Sequence, residues 1–263
     1  MKPGLLVISH GSREAGWVAL VDETVEAART ALGDTLPVEA AFLELVEGRL
    51  IQDGIDRLEA AGVTHLFALP LFVSSGSTHV DEIGWALGAY PEPKTETDLE
   101  KYRISARLTY GEPMDDDPEL VGVILERLKE MSKHSANESI LLIGHGSNEP
   151  GFREAWERGL NAISDQLMRF GGFGACTSAL LLPNQVQERW ERLRQSHPNH
   201  VIVVVALFLS EGYFTKEVIP RRLAGLECRY DGRALMPHPK VADWIVRRTQ
   251  DWLESLDQGS IRD

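Results

Sequence analysis

Two kinds of hydrophobic spacing alternate along the chain. Runs of near-consecutive apolar residues at 4–9, 37–45 and 63–72 have the continuity of strands buried on both faces, whereas 16–32, 50–61 and 80–90 carry apolar residues at helical intervals. A strand over 103–110 and a helix over 118–131 complete a first half, and the polar stretch 132–138 reads as a linker. The second half repeats the alternation: strand 140–144, helix 152–170, strand 173–182, helix 184–195, strand 200–209 and a closing helix over 241–256. Strands separated by helices predict an α/β protein of two tandem, similar domains, each a mainly parallel sheet flanked by helices with right-handed crossovers. The expected boundary divides residues 1–133 from 134–263, and ligands of such sheets bind beyond the carboxyl ends of the strands.

The halves are duplicates in sequence. Leu5-Leu6-Val7-Ile8-Ser9-His10-Gly11-Ser12 is answered by Leu141-Leu142-Ile143-Gly144-His145-Gly146-Ser147. At the same spacing Glu14 meets Glu149, Gly16 meets Gly151 and Trp17 meets Phe152, so the echo extends past the motif. Leu71-Phe72-Val73-Ser74-Ser75-Gly76 is answered in turn by Leu207-Phe208-Leu209-Ser210-Glu211-Gly212.

Composition narrows the function without naming it. Hydrophobic residues at 43% and charged residues at 25% are those of a folded globular chain. A net charge of −13 disfavours nucleic acid and anionic membrane as partners, because both need a cationic surface. Only Cys176 and Cys228 are present, which offers neither a disulfide framework nor a cysteine-built metal site. The apolar run at 5–8 stops at Ser9-His10, too short for a signal core or a membrane span, so a cytoplasmic location is expected.

Candidate chemistry gathers where the pattern puts strand ends. His10 follows the first strand, Glu44 and Glu47 close the second, and His79 is expected in the loop after the third. Two imidazoles with a carboxylate suit a borderline divalent first-row ion, and without thiolates a permanently closed structural site is not implied. Neutral His10 can also accept a proton near physiological pH, with Glu44 or Glu47 orienting it or carrying the proton onward. The loop Ser74-Ser75-Gly76-Ser77-Thr78 could let a flat ligand approach its backbone and offer hydroxyl donors, and Gly11-Ser12 could form an anion nest at a helix start. Arg13, Arg49, Arg153, Lys216, Arg221 and Arg222 follow strand ends and could meet anionic substituents.

Ser9-His10-Gly11-Ser12-Arg13, Phe42-Leu43-Glu44-Leu45-Val46-Glu47 and the run Pro70-Leu71-Phe72-Val73-Ser74-Ser75-Gly76-Ser77-Thr78-His79 together resemble the class II tetrapyrrole chelatases, in their long, duplicated sirohydrochlorin chelatase (CbiX or SirB) form. The resemblance covers nearly the whole chain. It implies two chelatase domains facing an active cleft, sirohydrochlorin as substrate, and insertion of Fe²⁺ or Co²⁺ with release of two protons, with no cofactor beyond the substrate metal. It implies His10 and His79 as metal-binding residues, and His10 with Glu44 as catalytic. Ser12, Arg13, Glu47, Val73, Ser74, Ser75, Gly76, Ser77, Thr78 and, in the second half, His145 are the substrate-contacting positions.

Within the second half, Ala179 and Leu182 are expected at the places of Glu44 and Glu47, and Phe214 or Thr215 at that of His79, so only His145 persists. The first half is therefore expected to be active, the second to act as a clamp, and the fused chain to be a monomer. Two rival readings use the same residues: a carrier of metal or tetrapyrrole without turnover, and a phosphatase acting through His10. The second is weakened by Ser9, where histidine phosphatases resemble Arg-His-Gly.

Overall fold

The computed structural model describes residues 1–259. Among the described residues, the first compact unit comprises 1–72, 78–113 and 241–259; the second comprises 73–77 and 114–240.

In the first unit, β1 (Pro3–Ser9), α1 (Ala15–Leu32), β2 (Val38–Phe42), α2 (Ile51–Ala60), β3 (His65–Pro70), α3 (Thr78–Ala86) and β4 (Arg107–Tyr110) alternate as the hydrophobic spacing predicts. The sheet order is β2-β1-β3-β4, with every pair parallel. Leu5, Leu6, Val7 and Ile8 are all fully buried, as a central parallel strand covered on both faces requires. Because successive residues point to opposite faces, Leu6, Ile8, Leu66 and Ala68 pack with Ile51, Ile55 and Leu58 of α2 and with Val80 and Ile83 of α3. On the other face Phe67 stacks on Trp252 at 5.1 Å, and the Trp252 indole N–H donates to Thr109 Oγ1 at 3.1 Å.

The second unit contains α4 (Pro118–Met131), β5 (Glu138–Gly146), α5 (Phe152–Gly171), β6 (Ala175–Leu182), α6 (Val186–Ser196), β7 (Val201–Ala206), α7 (Ile219–Leu223) and β8 (Arg229–Tyr230). Its sheet order, β6-β5-β7-β8, repeats the first, again all parallel. The linker is a short 3₁₀ turn, Ser135–Asn137, and a π-helical turn over Phe214–Val218 precedes α7.

Sequence repeat and compact unit are not the same division. The helix that ends the first repeat, α4, packs in the second unit, where Arg127 donates to the carbonyls of Arg233 and Ala234. The last helix, α8 (Pro239–Gly259), carries Trp252 onto the first sheet. No helix among the described residues is long and apolar enough to cross a membrane.

Candidate functional site

At the carboxyl edge of the first sheet, pairing continues beyond the strands: Leu43 N–H donates to Ser9 O at 2.8 Å and Glu44 N–H to His10 O at 3.1 Å. Glu44 and Glu47 thus lie in the turn after β2, which ends at Phe42, not on the strand itself. The close approach depends on Gly11, whose φ is +105° and whose added Cβ would stand 1.9 Å from the Glu44 carbonyl oxygen. Leu45, beside Glu44, holds a φ of 67°, a sparsely populated conformation for a residue with a Cβ.

The backbone brings His10 and His79 together, ring centroids 4.6 Å apart and nearly edge to face. His79 is not in a loop: it occupies the first turn of α3, which begins at Thr78. His10 Nδ1 lies 3.1 Å from the Gly11 carbonyl, and His79 Nδ1 lies 2.5 Å from Glu82 Oε1. A carbonyl and a carboxylate only accept, so each neutral ring donates through Nδ1 and keeps its lone pair on Nε2. Glu44 Oε1 stands 3.7 Å from His10 Nε2, close enough to stabilise an imidazolium there.

Glu82, Thr97, Glu96 and Asp98 are the site residues that sequence reasoning missed. Glu82 Oε2 accepts from the Thr97 hydroxyl at 2.8 Å, and the Glu82 side chain is 17% exposed against 40% for His79. Burial alone would raise the Glu82 pKa, but the hydrogen bonds from His79 and Thr97 and the field of His79 and His10 outweigh it and hold the carboxyl below its usual value. An open depression of about 890 Å³ is lined by Glu44, His79, Glu82, Trp85, Glu96 and Asp98, among others. The spacing His79-x-x-Glu82 on a helix was the signal available for Glu82; nothing local pointed to Thr97. Among the described residues no group of three or more His, Cys, Asp or Glu side chains is placed to hold a metal ion.

Other expected site residues are placed as follows. Gly11-Ser12 does not open a helix, since α1 starts at Ala15 and Ser12 Oγ accepts the Glu14 N–H at 3.1 Å. Arg13 and Glu47 are exposed. Arg49 is committed to Asp22 through two bonds of 2.8 and 2.6 Å, Arg153 pairs with Glu154 and Lys216 with Glu211, while Arg221 and Arg222 remain exposed.

The loop preceding Thr78 belongs to the second unit. Its small residues serve packing: a Cβ on Gly76 would fall 2.4 Å from Trp156 Cδ1 and 2.6 Å from the Phe152 carbonyl. The buried Ser74 hydroxyl accepts the Gly76 N–H, and both the N–H and the hydroxyl of Ser75 bond Asp115. The Ser74 hydroxyl closes the loop on itself, and Ser75 ties it to Asp115. Val73, Ser77 and Thr78 are partly exposed.

The corresponding edge of the second sheet has the same backbone and different chemistry. His145 repeats the pose of His10, with Nδ1 2.9 Å from the Gly146 carbonyl, and a Cβ on Gly146 would stand 2.2 Å from Leu182 O. Ile8 pairs with Ala41 and Ile143 with Ala179, so the place of Glu44 belongs to Leu182, correcting the expected Ala179, and Leu182 is not the counterpart of Glu47, which lies in a longer connection than the one after β6. Phe214 stands against His145 at 4.8 Å and 79°, as His79 stands against His10 at 4.6 Å and 70°. Phe208 stacks behind Phe214 at 5.4 Å. Both cysteines of the chain are free, and burial pushes the Cys176 thiol up to about 12.

This duplicated edge has a counterpart among known proteins. The CbiX family model matches twice, over residues 4–131 and 139–252. The chain belongs to the CbiX family. Each CbiX segment spans one of the two sheets and begins in the central strand whose carboxyl end carries His10 or His145.

A sirohydrochlorin ferrochelatase of Bacillus subtilis is 28% identical over 151 residues, 57% of this chain and 53% of the relative; the alignment therefore spans about half of that protein. A sirohydrochlorin cobaltochelatase of Methanopyrus kandleri is 26% identical over 137 residues, 48% of this chain and 94% of the relative. The solved structure of SirB from Bacillus subtilis with Fe³⁺ matches at a TM-score of 0.74, 23% identity and 95% coverage of both chains. At that identity the likeness to SirB establishes the shared CbiX fold.

Proposed function

We propose that this CbiX-family chain is a sirohydrochlorin chelatase, a lyase-class enzyme that inserts Fe²⁺ or Co²⁺ into the tetrapyrrole and releases two protons. The observation that carries the reading is the paired presentation of His10 and His79: each ring is held through Nδ1, each offers Nε2, and the centroids lie 4.6 Å apart beside Glu44. The names of the relatives support the substrate and the choice of ions.

Metal insertion exchanges the ion's remaining ligands for four ring nitrogens while two pyrrole N–H protons depart. His10 and His79 hold the incoming ion through Nε2; once the ion has passed to the ring nitrogens, the freed Nε2 of His10 accepts a pyrrole proton, with Glu44 stabilising the imidazolium, and releases it to water before the second is taken. Ser12, Arg13, Glu47, the partly exposed Val73, Ser75, Ser77 and Thr78, and His145 are assigned to substrate binding, with Arg221 and Arg222 available to its carboxylates. The first repeat, within 1–133, carries the metal chemistry, and the second, within 134–263, binds substrate without an ion of its own. The enzyme works as a cytoplasmic monomer without nucleic acid, membrane or further cofactor.

Incubating purified protein with sirohydrochlorin and either Fe²⁺ or Co²⁺, against a no-enzyme control, tests the proposal by absorbance. Accelerated insertion of both ions is expected, since imidazole and carboxylate donors do not select sharply between them. Binding without any rate above the control would mark a carrier instead.

A further inference from the structure

The stretch between α3 and β4, residues 87–106, lies back along α3 as a strap. Tyr90 OH donates to the Asp81 carbonyl at 2.5 Å, and the Lys94 N–H to Asp81 Oδ2 at 2.7 Å. Lys101 Nζ donates to the Trp85 carbonyl and sits 4.1 Å over the Trp85 ring, and the Tyr102 N–H donates to the Ala86 carbonyl at 2.9 Å. Between these anchors the Thr97 hydroxyl accepts the Leu99 N–H at 3.1 Å and donates its one proton to Glu82 Oε2 at 2.8 Å.

We propose that Glu82, steadied by Thr97 of this strap, is the positioning residue that fixes which nitrogen of His79 meets the metal ion. The inference rests on the assignment of His79 as a metal-binding residue. A neutral imidazole carries one N–H, and the two tautomers differ little in energy unless a partner chooses between them. The contact of 2.5 Å between Glu82 Oε1 and His79 Nδ1 chooses: it draws the proton to Nδ1, leaves Nε2 as a lone-pair donor, and sets the rotation of the ring. His10 reaches the same state through a backbone carbonyl, so both rings present the same nitrogen by different means. A backbone acceptor cannot be lost by substitution, whereas the one behind His79 is a side chain that depends on a second side chain from the strap. Glu82 does not touch the reacting atoms in this assignment; it acts through His79.

Two measurements test the proposal. The ¹⁵N shifts of His79 in metal-free protein report its tautomer, and ligand-field absorption reports Co²⁺ affinity. In the wild type His79 should be protonated at Nδ1. Glu82→Ala should release that preference and weaken Co²⁺ binding about 10- to 100-fold, the usual range for a lost partner of a ligating histidine. In a His79→Ala background the same change should cost less than about twofold, because a residue acting through His79 has nothing left to act on. Glu82→Gln keeps an acceptor and should fall between, and Thr97→Val should lose about 2- to 10-fold, the equivalent of one hydrogen bond; either substitutes for Glu82→Ala if circular dichroism shows that variant misfolded. An unchanged tautomer and affinity in Glu82→Ala, or an equal loss in both backgrounds, would overturn the proposal. A wild-type protein that binds no Co²⁺ would overturn the chelatase reading, and the tautomer measurement would then decide on Glu82 alone.

Discussion

The carboxyl edge of β1 and that of β5 are built on one backbone plan and furnished with different side chains. Both place a histidine at the carboxyl end of the central strand, both turn its Nδ1 to the carbonyl of the next glycine, and both press that glycine against a neighbouring carbonyl. Beyond that point they part: Glu44 faces Leu182 in the correspondence, and His79 faces Phe214. The glycine and the histidine pose recur at both edges and belong to the fold, whereas the second imidazole and the carboxylate stand at the first edge and are replaced at the second. A hydrated divalent ion needs several polar donors; one imidazole beside stacked Phe208 and Phe214 supplies a single donor against apolar rings.

The largest expected effect tests that division directly. His10→Ala and His79→Ala should each slow metal insertion by at least about 100-fold, the lower range for a lost acid–base group, with circular dichroism unchanged. His145→Ala should cost less than about tenfold. A ranking with His145→Ala as the most damaging would reverse the assignment of the halves.

Stoichiometry sharpens the comparison. Titration with Co²⁺ should find one equivalent per chain, and a Leu182→Glu, Phe214→His double variant, which restores a carboxylate and an imidazole beside His145, should bind a second. Two equivalents in the wild type would show that the aromatic edge already holds an ion.

The shared backbone plan predicts symmetric costs. Gly11→Ala and Gly146→Ala each force a Cβ into a carbonyl at positive φ, +105° and +78°, and should each lower stability by about 1–3 kcal/mol in chemical denaturation. If Gly146→Ala proved neutral, the second edge would not share the strained geometry of the first.

The smallest effect is in the pH dependence of stability. Glu82 in the first unit and Glu138 in the second are both held below the ordinary value of 4.5, their hydrogen bonds outweighing burial. A carboxyl with a lowered folded pKa contributes stability that is fully present above about 4.5 and is lost as pH falls through the folded value. Glu82→Gln and Glu138→Gln should therefore both flatten the acid limb of the stability profile, while only the first should change Co²⁺ affinity.

Much of the fold was legible because the two periods of hydrophobic spacing are distinct over long stretches. The helix Pro118–Met131 has the bounds its Pro start and apolar spacing predict, and the strands are parallel as the intervening helices require. The duplication was legible from identity at the two central strands. His10, Glu44 and His79 were within reach for the same reason, since strand ends in such sheets share one edge.

What the chain order by itself determined is the set of elements, their repetition and the residues carried to the strand ends, because these depend on local spacing. Tertiary structure alone decided which helix covers which sheet: α8, last in sequence, places Trp252 on Phe67, and α4 packs in the second unit. It also decided that Leu182 stands where Glu44 does, since strand register is set by pairing and not by counting along the chain. The bond from Thr97 to Glu82 likewise depends on how the strap lies along α3. Those contacts join residues distant in sequence whose local patterns are indifferent to one another, so only the packed chain could select them.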